Sequence, residues 1–180
     1  MGMTLLLGGV ASGKSRTATA LAAATGARVT LIATAEALDD EMVERIARHR
    51  AQRPATWTVV EEPLSLTTSI ERVAAPDVLI VDCLTLWVSN LLGDGAPSDD
   101  EVVALAAAAA KASASRDATT IVVSNEVGAG IVPANALARR YRDLLGRVNA
   151  TFADEAGTVA LMVAGRAVKL SDPMATLEER

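Results

Sequence analysis

The run Gly8-Gly9-Val10-Ala11-Ser12-Gly13-Lys14-Ser15 constrains the fold more than any other part of this chain. It follows an apolar stretch, Met3 to Leu7, and opens into an alanine-rich segment of high helix propensity. Strand, glycine-rich turn and helix N-terminus, in that order, form the context of a phosphate-binding loop. The glycines allow backbone N–H groups to converge on phosphate oxygens, and the first helical turn adds partial positive charge. Residues Gly8, Gly9, Val10, Ala11, Ser12, Gly13, Lys14 and Ser15 are therefore the expected nucleotide cradle. Lys14 would serve the β- and γ-phosphates as a catalytic cation, and the Ser15 hydroxyl would ligate Mg²⁺. The plainer reading, a tight turn capping an ordinary helix, leaves Lys14 and Ser15 unexplained.

The remainder of the chain continues in the same alternating manner. Expected strands are Thr4–Leu7, Val29–Ala33, Trp57–Val60, Val78–Val81, Thr119–Val123 and Val159–Val163. Helical patterns fall at Lys14–Ala24, Asp39–Ala51, near Leu84–Leu92, Asp100–Ser115 and Pro133–Ala156, and the tail after Val168 reads as a short edge strand or a frayed end. Short apolar strands without polar alternation, separated by helices, imply a mostly parallel sheet covered on both faces. The expected architecture is an α/β three-layer phosphate-loop fold, with 1–180 as a single domain. Ser98-Asp99-Asp100-Glu101 has good helix-start character, and the Ala106–Ala110 run suits tight helix packing.

Composition narrows the class of partner. Apolar residues make up 51% but aromatics only 2%, so the core must be aliphatic. A formal charge of -5 argues against a nucleic-acid binder, which carries a basic face, yet leaves nucleotides open as substrates. The single Cys83 cannot form an intrachain disulfide, and no secretory leader or membrane span is read, so a cytoplasmic setting and no membrane insertion are expected.

Two further places carry chemistry. Val78-Leu79-Ile80-Val81-Asp82 is an apolar strand ending in an acid, and Asp82 at its carboxyl end could hold Mg²⁺ or cap the next helix. Thr120–Val123 runs into Ser124-Asn125-Glu126-Val127-Gly128, where Glu126 could place Mg²⁺ or a substrate hydroxyl, or serve as a turn residue. His49, the lone histidine, ends a helical pattern that starts with acids and finishes with bases. It could pack beside Ile46. It could also act as a nucleophile, forming a covalent phosphoryl- or nucleotidyl-histidine among arginines that attract a polyphosphate. Arg45, Arg48, Arg50 and Arg53 could steady such anions, although a solvated face accounts for some of them.

The wording of these blocks resembles the bifunctional adenosylcobinamide kinase/adenosylcobinamide-phosphate guanylyltransferase family. The matching text is GGVASGKS at 8–15, IATAEALDDEMVERIARHR at 32–50 followed by Arg53-Pro54 and Trp57, VDCLTLWVSNLL at 81–92, VSNEVGAGIVP at 123–133 and RRYRDLLGRVN at 139–149. The resemblance implies a RecA-like fold and homotrimers. It further implies a kinase reaction on adenosylcobinamide using ATP or GTP, followed by transfer of GMP from GTP to adenosylcobinamide-phosphate through a guanylyl-histidine. The family histidine falls on His49, the phosphate and Mg²⁺ roles on Gly13, Lys14 and Ser15, and the acidic position on Asp82. One departure is Asn149-Ala150, where the family usually has Asn-Gln; altered packing or interface detail is expected there. Two readings compete: a small-molecule kinase without nucleotidyl transfer, and a nucleotide-dependent switch protein.

Overall fold

The computed structural model describes residues 2–37, 39–51, 53–93 and 95–174, with the side chain of Arg45 also outside the described set. The elements, in chain order, are β1 (Met3–Gly8), α1 (Lys14–Ala24), β2 (Val29–Ala33), α2 (Asp40–Ala51), β3 (Thr58–Glu61), α3 (Leu66–Glu71) and β4 (Val78–Asp82). They continue with α4 (Leu84–Leu91), α5 (Asp99–Ala114), β5 (Thr120–Val123), α6 (Ala136–Glu155), β6 (Thr158–Val163) and β7 (Arg166–Leu170). The sheet order is β3-β2-β4-β5-β1-β6-β7. Every pairing is parallel except β6 with β7.

The strands are apolar because both faces are covered. On one face Leu5, Ile32, Leu79, Val81 and Val122 pack with Ile70 of α3, Trp87 and Val88 of α4, Val102 of α5, and Leu145 and Phe152 of α6. On the other, Leu6, Leu31, Ile80 and Ile121 meet Ala18 and Ala22 of α1. Those alanines, one helical turn apart, let α1 lie close to the sheet. Ala106, Ala109 and Ala110 of α5 do the same on the first face, and all three are fully buried. The three-layer α/β architecture expected from the sequence is present, and its phosphate loop joins β1 to α1.

Several boundaries differ for local reasons. Ser98 caps α5 with a reciprocal bond pair to Glu101, so the helix starts at Asp99. Asn135 accepts from the Ala138 amide and starts α6 at Ala136, three residues later than the pattern suggested. Helix α3 has no counterpart in the sequence reading; its Leu-Thr-Thr-Ser-Ile-Glu text is too short for periodicity and rich in turn formers. The tail strand β7 begins at Arg166, because Ala164 and Gly165 both take positive φ and fold a two-residue hairpin after β6. The exposed β7 carries Arg166 and Lys169, charges that discourage further edge pairing.

Candidate active site

Parallel strands ending together create a crevice at their carboxyl edge. Here that crevice is a cleft of about 730 Å³ lined by Val10–Arg16, by Glu41, Arg48, His49, Arg50 and Arg53 from the α2 region, and by Asp82, Cys83 and Asn125 at the strand ends. The phosphate loop, the acidic strand end and the lone histidine therefore face one space.

The loop is fixed by backbone constraints. Gly8 has φ +148, and a Cβ there would lie 2.3 Å from the Met162 carbonyl oxygen, so no other residue fits. Gly13 has φ +100 and leads directly into α1. The Lys14 ammonium donates to the carbonyls of Gly8 (2.9 Å) and Gly9 (2.7 Å) and to Ser12 Oγ (3.4 Å). Burial pushes the Lys14 pKa down, and Cys83 and Asp82 oppose that shift. Of those two, Cys83 is a neutral thiol at neutral pH, because burial and the Asp82 carboxylate push it up to about 11. Gly8 and Gly9 contribute carbonyls to the lysine, while Val10, Ala11, Ser12, Gly13, Lys14 and Ser15 line the cleft itself.

Asp82 ends β4 in register with Ala33 and Val123. The chain behind it is tied down: Thr34 Oγ1 accepts from the Cys83 amide (2.9 Å) and donates to the Cys83 carbonyl (2.7 Å). Asn90 of α4 in turn donates to the Thr34 carbonyl at 2.8 Å. Among the described residues no three His, Cys, Asp or Glu side chains group as a metal site. Ser15 and Asp82 together suit Mg²⁺, which takes one or two protein oxygens beside phosphates and retained waters.

Helix α2 presents the histidine differently. Asp39 Oδ1 accepts from the Met42 amide at 2.7 Å and opens the helix, acids occupy its first turn, and Arg48, His49 and Arg50 occupy its last. None of its described residues is buried. Arg50 pairs with Glu61 at the end of β3. Arg53, half-buried below the helix, has its pKa lowered by desolvation, against the pull of Asp82 and with the push of Arg50. Arg53 is thus close enough to Asp82 and Arg50 to feel both charges.

Glu126 lies elsewhere. Its side chain is exposed, accepts from the Gly128 amide at 2.5 Å, and is not part of the cleft wall. The neighbouring Asn125 reaches the cleft instead, with Thr85 and Asn149 behind it in hydrogen-bonded support. Strand alternation beyond Val123 was the available signal: consecutive residues point to opposite sides, so only one of the Asn125-Glu126 pair could serve the cleft. Ala150 is exposed, so its departure from the family pattern leaves the core untouched, whereas Asn149 is buried.

A parallel sheet with a glycine-rich loop feeding a helix N-terminus, and an acid on a nearby strand end, defines a phosphate-loop nucleotide-binding protein. Within that class, a family model described as cobinamide kinase/cobinamide phosphate guanyltransferase matches residues 4–170, and the chain belongs to that family. It is 46% identical over 164 residues to the bifunctional adenosylcobalamin biosynthesis protein CobP of Pseudomonas aeruginosa, covering 89% of this chain and 92% of that protein. It is 42% identical to the bifunctional adenosylcobalamin biosynthesis protein CobU of Salmonella typhimurium, over 93% of this chain and 99% of the relative. A solved Pyrococcus horikoshii structure superposes with a TM-score of 0.55 at 9% identity, covering 93% of this chain and 85% of that one, a likeness of fold alone. Among the described residues no helix is long and apolar enough to cross a membrane.

Proposed function

We propose that this enzyme runs both family reactions from the one cleft: phosphorylation of adenosylcobinamide, then transfer of GMP from GTP to adenosylcobinamide-phosphate. The observation that carries this reading is the shared lining of that cleft by the phosphate loop, Asp82 and His49, in a chain of this family.

In the kinase half, the loop amides and Lys14 bind the terminal phosphates, and the alcohol attacks the γ-phosphorus in line. Lys14 neutralises charge that gathers on the transferred phosphoryl and the departing diphosphate. Ser15 and Asp82 would hold Mg²⁺, which when bound draws electron density from the bridging phosphate oxygens. Catalysis is then mostly positioning and charge stabilisation.

In the guanylyl half, a ring nitrogen of His49 attacks the α-phosphorus of GTP. A P–N bond forms, the α–β P–O bond breaks, and pyrophosphate leaves with the electron pair. An oxygen of the substrate phosphate then attacks the same phosphorus, and histidine leaves. This splits a transfer between two anions into two easier steps. Arg48, Arg50 and Arg53 sit where they can offset the accumulated negative charge, and the family homotrimer would bring a second copy to the cleft mouth. The exposed Ile131 and Val132, between β5 and α6, and the exposed Leu137 in the first turn of α6 support such a contact.

The test is to incubate the protein with adenosylcobinamide, ATP, GTP and Mg²⁺ and follow products by mass spectrometry. The expected sequence is a gain of phosphate, then conversion to the GDP adduct with pyrophosphate release. Phosphate gain without the GDP adduct would leave a kinase alone. Nucleotide hydrolysis with the corrinoid unchanged would point to a switch protein.

A further inference from the structure

Asn125 is held in an unusual way for a residue just past a strand. Beyond Val123 the segment still follows β1, with the Ser124 amide donating to the Leu6 carbonyl at 3.0 Å and the Glu126 amide to Gly8 at 3.2 Å. The backbone groups of Asn125 therefore point away from β1, towards β4. But β4 has ended at Asp82 and the chain has turned into α4, so no ladder partner remains there. Side chains take its place. Thr85 Oγ1, from the first turn of α4, accepts from the Asn125 amide at 2.8 Å. Asn149 Nδ2, from the middle of α6, donates to the Asn125 carbonyl at 2.9 Å. Tyr141, also on α6, donates to the Thr85 carbonyl at 3.2 Å and so braces the same turn.

Two further observations give this clamp a purpose. Asn149 is 5% exposed and its Oδ1 is buried without a partner, a cost that an aliphatic side chain of the same size would avoid. What Asn149 supplies in return is its bond to Asn125. Meanwhile the Asn125 side-chain amide makes no hydrogen bond among the described residues, although the residue lines the cleft. Its backbone is fixed on both sides and its side chain is uncommitted.

Its position is informative as well. β5 lies between β1, which feeds the phosphate loop, and β4, which ends in Asp82; Val123 is in register with both Leu6 and Asp82. Asn125 thus stands between the cradle for the terminal phosphates and the acidic strand end. A neutral amide there offers a donor and an acceptor without adding charge.

We propose that Asn125 contacts the reacting groups of the kinase half. Its Nδ2 donates to an oxygen of the transferred phosphoryl, and its Oδ1 accepts from the attacking hydroxyl, which aligns the oxygen with the phosphorus. The new bond joins the alcohol oxygen to the γ-phosphorus; the bridging P–O bond breaks and its electron pair leaves on the nucleoside diphosphate. The hydroxyl proton passes to an oxygen of the phosphoryl product and then to water, so the amide itself is never a base. Thr85 and Asn149 are positioning residues acting through the Asn125 backbone. This inference rests on the proposed kinase reaction and adds the contact that orients its acceptor.

The test compares wild type with N125A, N125S, T85V and T85S in adenosylcobinamide phosphorylation, in binding of a fluorescent non-hydrolysable ATP analogue, and in formation of the His49 adduct from GTP. N125A and N125S should lose about 10²-fold in kinase kcat, the usual cost of misalignment. The dissociation constant for the analogue should move by no more than about threefold, and adduct formation should persist, since the α-phosphorus is not the atom Asn125 aligns. T85V should lose about tenfold in kcat, and T85S should recover most of it. Variants of Asn125 that phosphorylate as fast as wild type overturn the proposal alone, as does an equal loss in analogue binding and kcat. A wild type that binds the analogue and phosphorylates no corrinoid overturns the kinase reading, and this proposal with it.

Discussion

The two walls of the cleft are built to different standards. The wall formed by the phosphate loop and strand ends is tied into the core: Lys14 is 7% exposed and bonded across its own loop, and Thr34 is fully buried behind Asp82. The wall formed by α2 buries none of its described residues and, among the described residues, is secured by a capping aspartate and a surface ion pair. Few buried contacts place α2 at the low-stability end of the molecule. The difference fits a division of labour. Phosphoryl transfer demands a rigid cradle for a fixed polyphosphate. In the proposed guanylyl transfer, a histidine that accepts a nucleotide and then surrenders it gains from a mounting that can shift without disturbing that cradle.

The largest expected effect breaks the rigid wall. Lys14→Ala should lower both transfers by about 10³-fold, the upper range for removing one preorganised donor from a reacting centre. Because burial lowers the Lys14 pKa, the ammonium loses its proton at a lower pH than an exposed lysine would. Nucleotide capture by the free enzyme should accordingly decline on the alkaline side before the ordinary lysine value of 10.5 is reached, as read from the pH profile of kcat/KM. An alkaline limb lying above that value, or one unaltered in the Lys14→Ala enzyme, would remove Lys14 from this role.

A middling effect reports on the floor of the cleft. Cys83 is raised from 9.0 to about 11, so at neutral pH it holds about 100-fold less thiolate than an unperturbed thiol. Alkylation of the folded protein should be slower by at least that factor and should climb with pH towards 11, becoming ordinary after denaturation. As the chain has one cysteine, the readout is unambiguous. Rapid alkylation of the native protein at neutral pH would show that this part of the site is open and wet.

The smallest effect belongs to the loose wall. Arg50 and Glu61 are 56% and 58% exposed, and such pairs contribute no more than about 1 kcal/mol. A double-mutant cycle of Arg50→Ala and Glu61→Ala, followed by thermal unfolding, should return a coupling within that bound. A larger coupling would mean that α2 is anchored more firmly than its exposure implies.

How far the sequence could be read follows the same contrast. α1 runs from Lys14 to Ala24 as expected, since a phosphate loop dictates where its helix begins, and β2 matches from Val29 to Ala33 because buried parallel strands are plain apolar runs. The stretch after β5 was harder. Asn125 and Glu126 are adjacent polar residues, and the carboxylate looked the stronger candidate for chemistry. Which of them faces the cleft depends on the ladder to β1, a long-range pairing absent from local text. The supports at Thr34, Thr85 and Asn149 were invisible for the same reason, because each acts on a segment distant in sequence. The edge strand β7 and the short, partly buried helix α3 rest on one hairpin turn and one six-residue helix, too little text to carry a period.

The central claim, that one cleft serves two chemistries through two different walls, is tested most directly by isotopic labelling. The protein and a His49→Ala variant, each with Mg²⁺, would be given GTP labelled at either the α- or the γ-phosphate, denatured, and assayed for covalent label. The account predicts acid-labile, alkali-stable label from α-labelled GTP in the wild type, none from γ-labelled GTP, and none in His49→Ala, which should retain kinase activity. Label that survives the His49→Ala substitution, or a folded nucleotide-binding wild type that takes up no α-label, would contradict it.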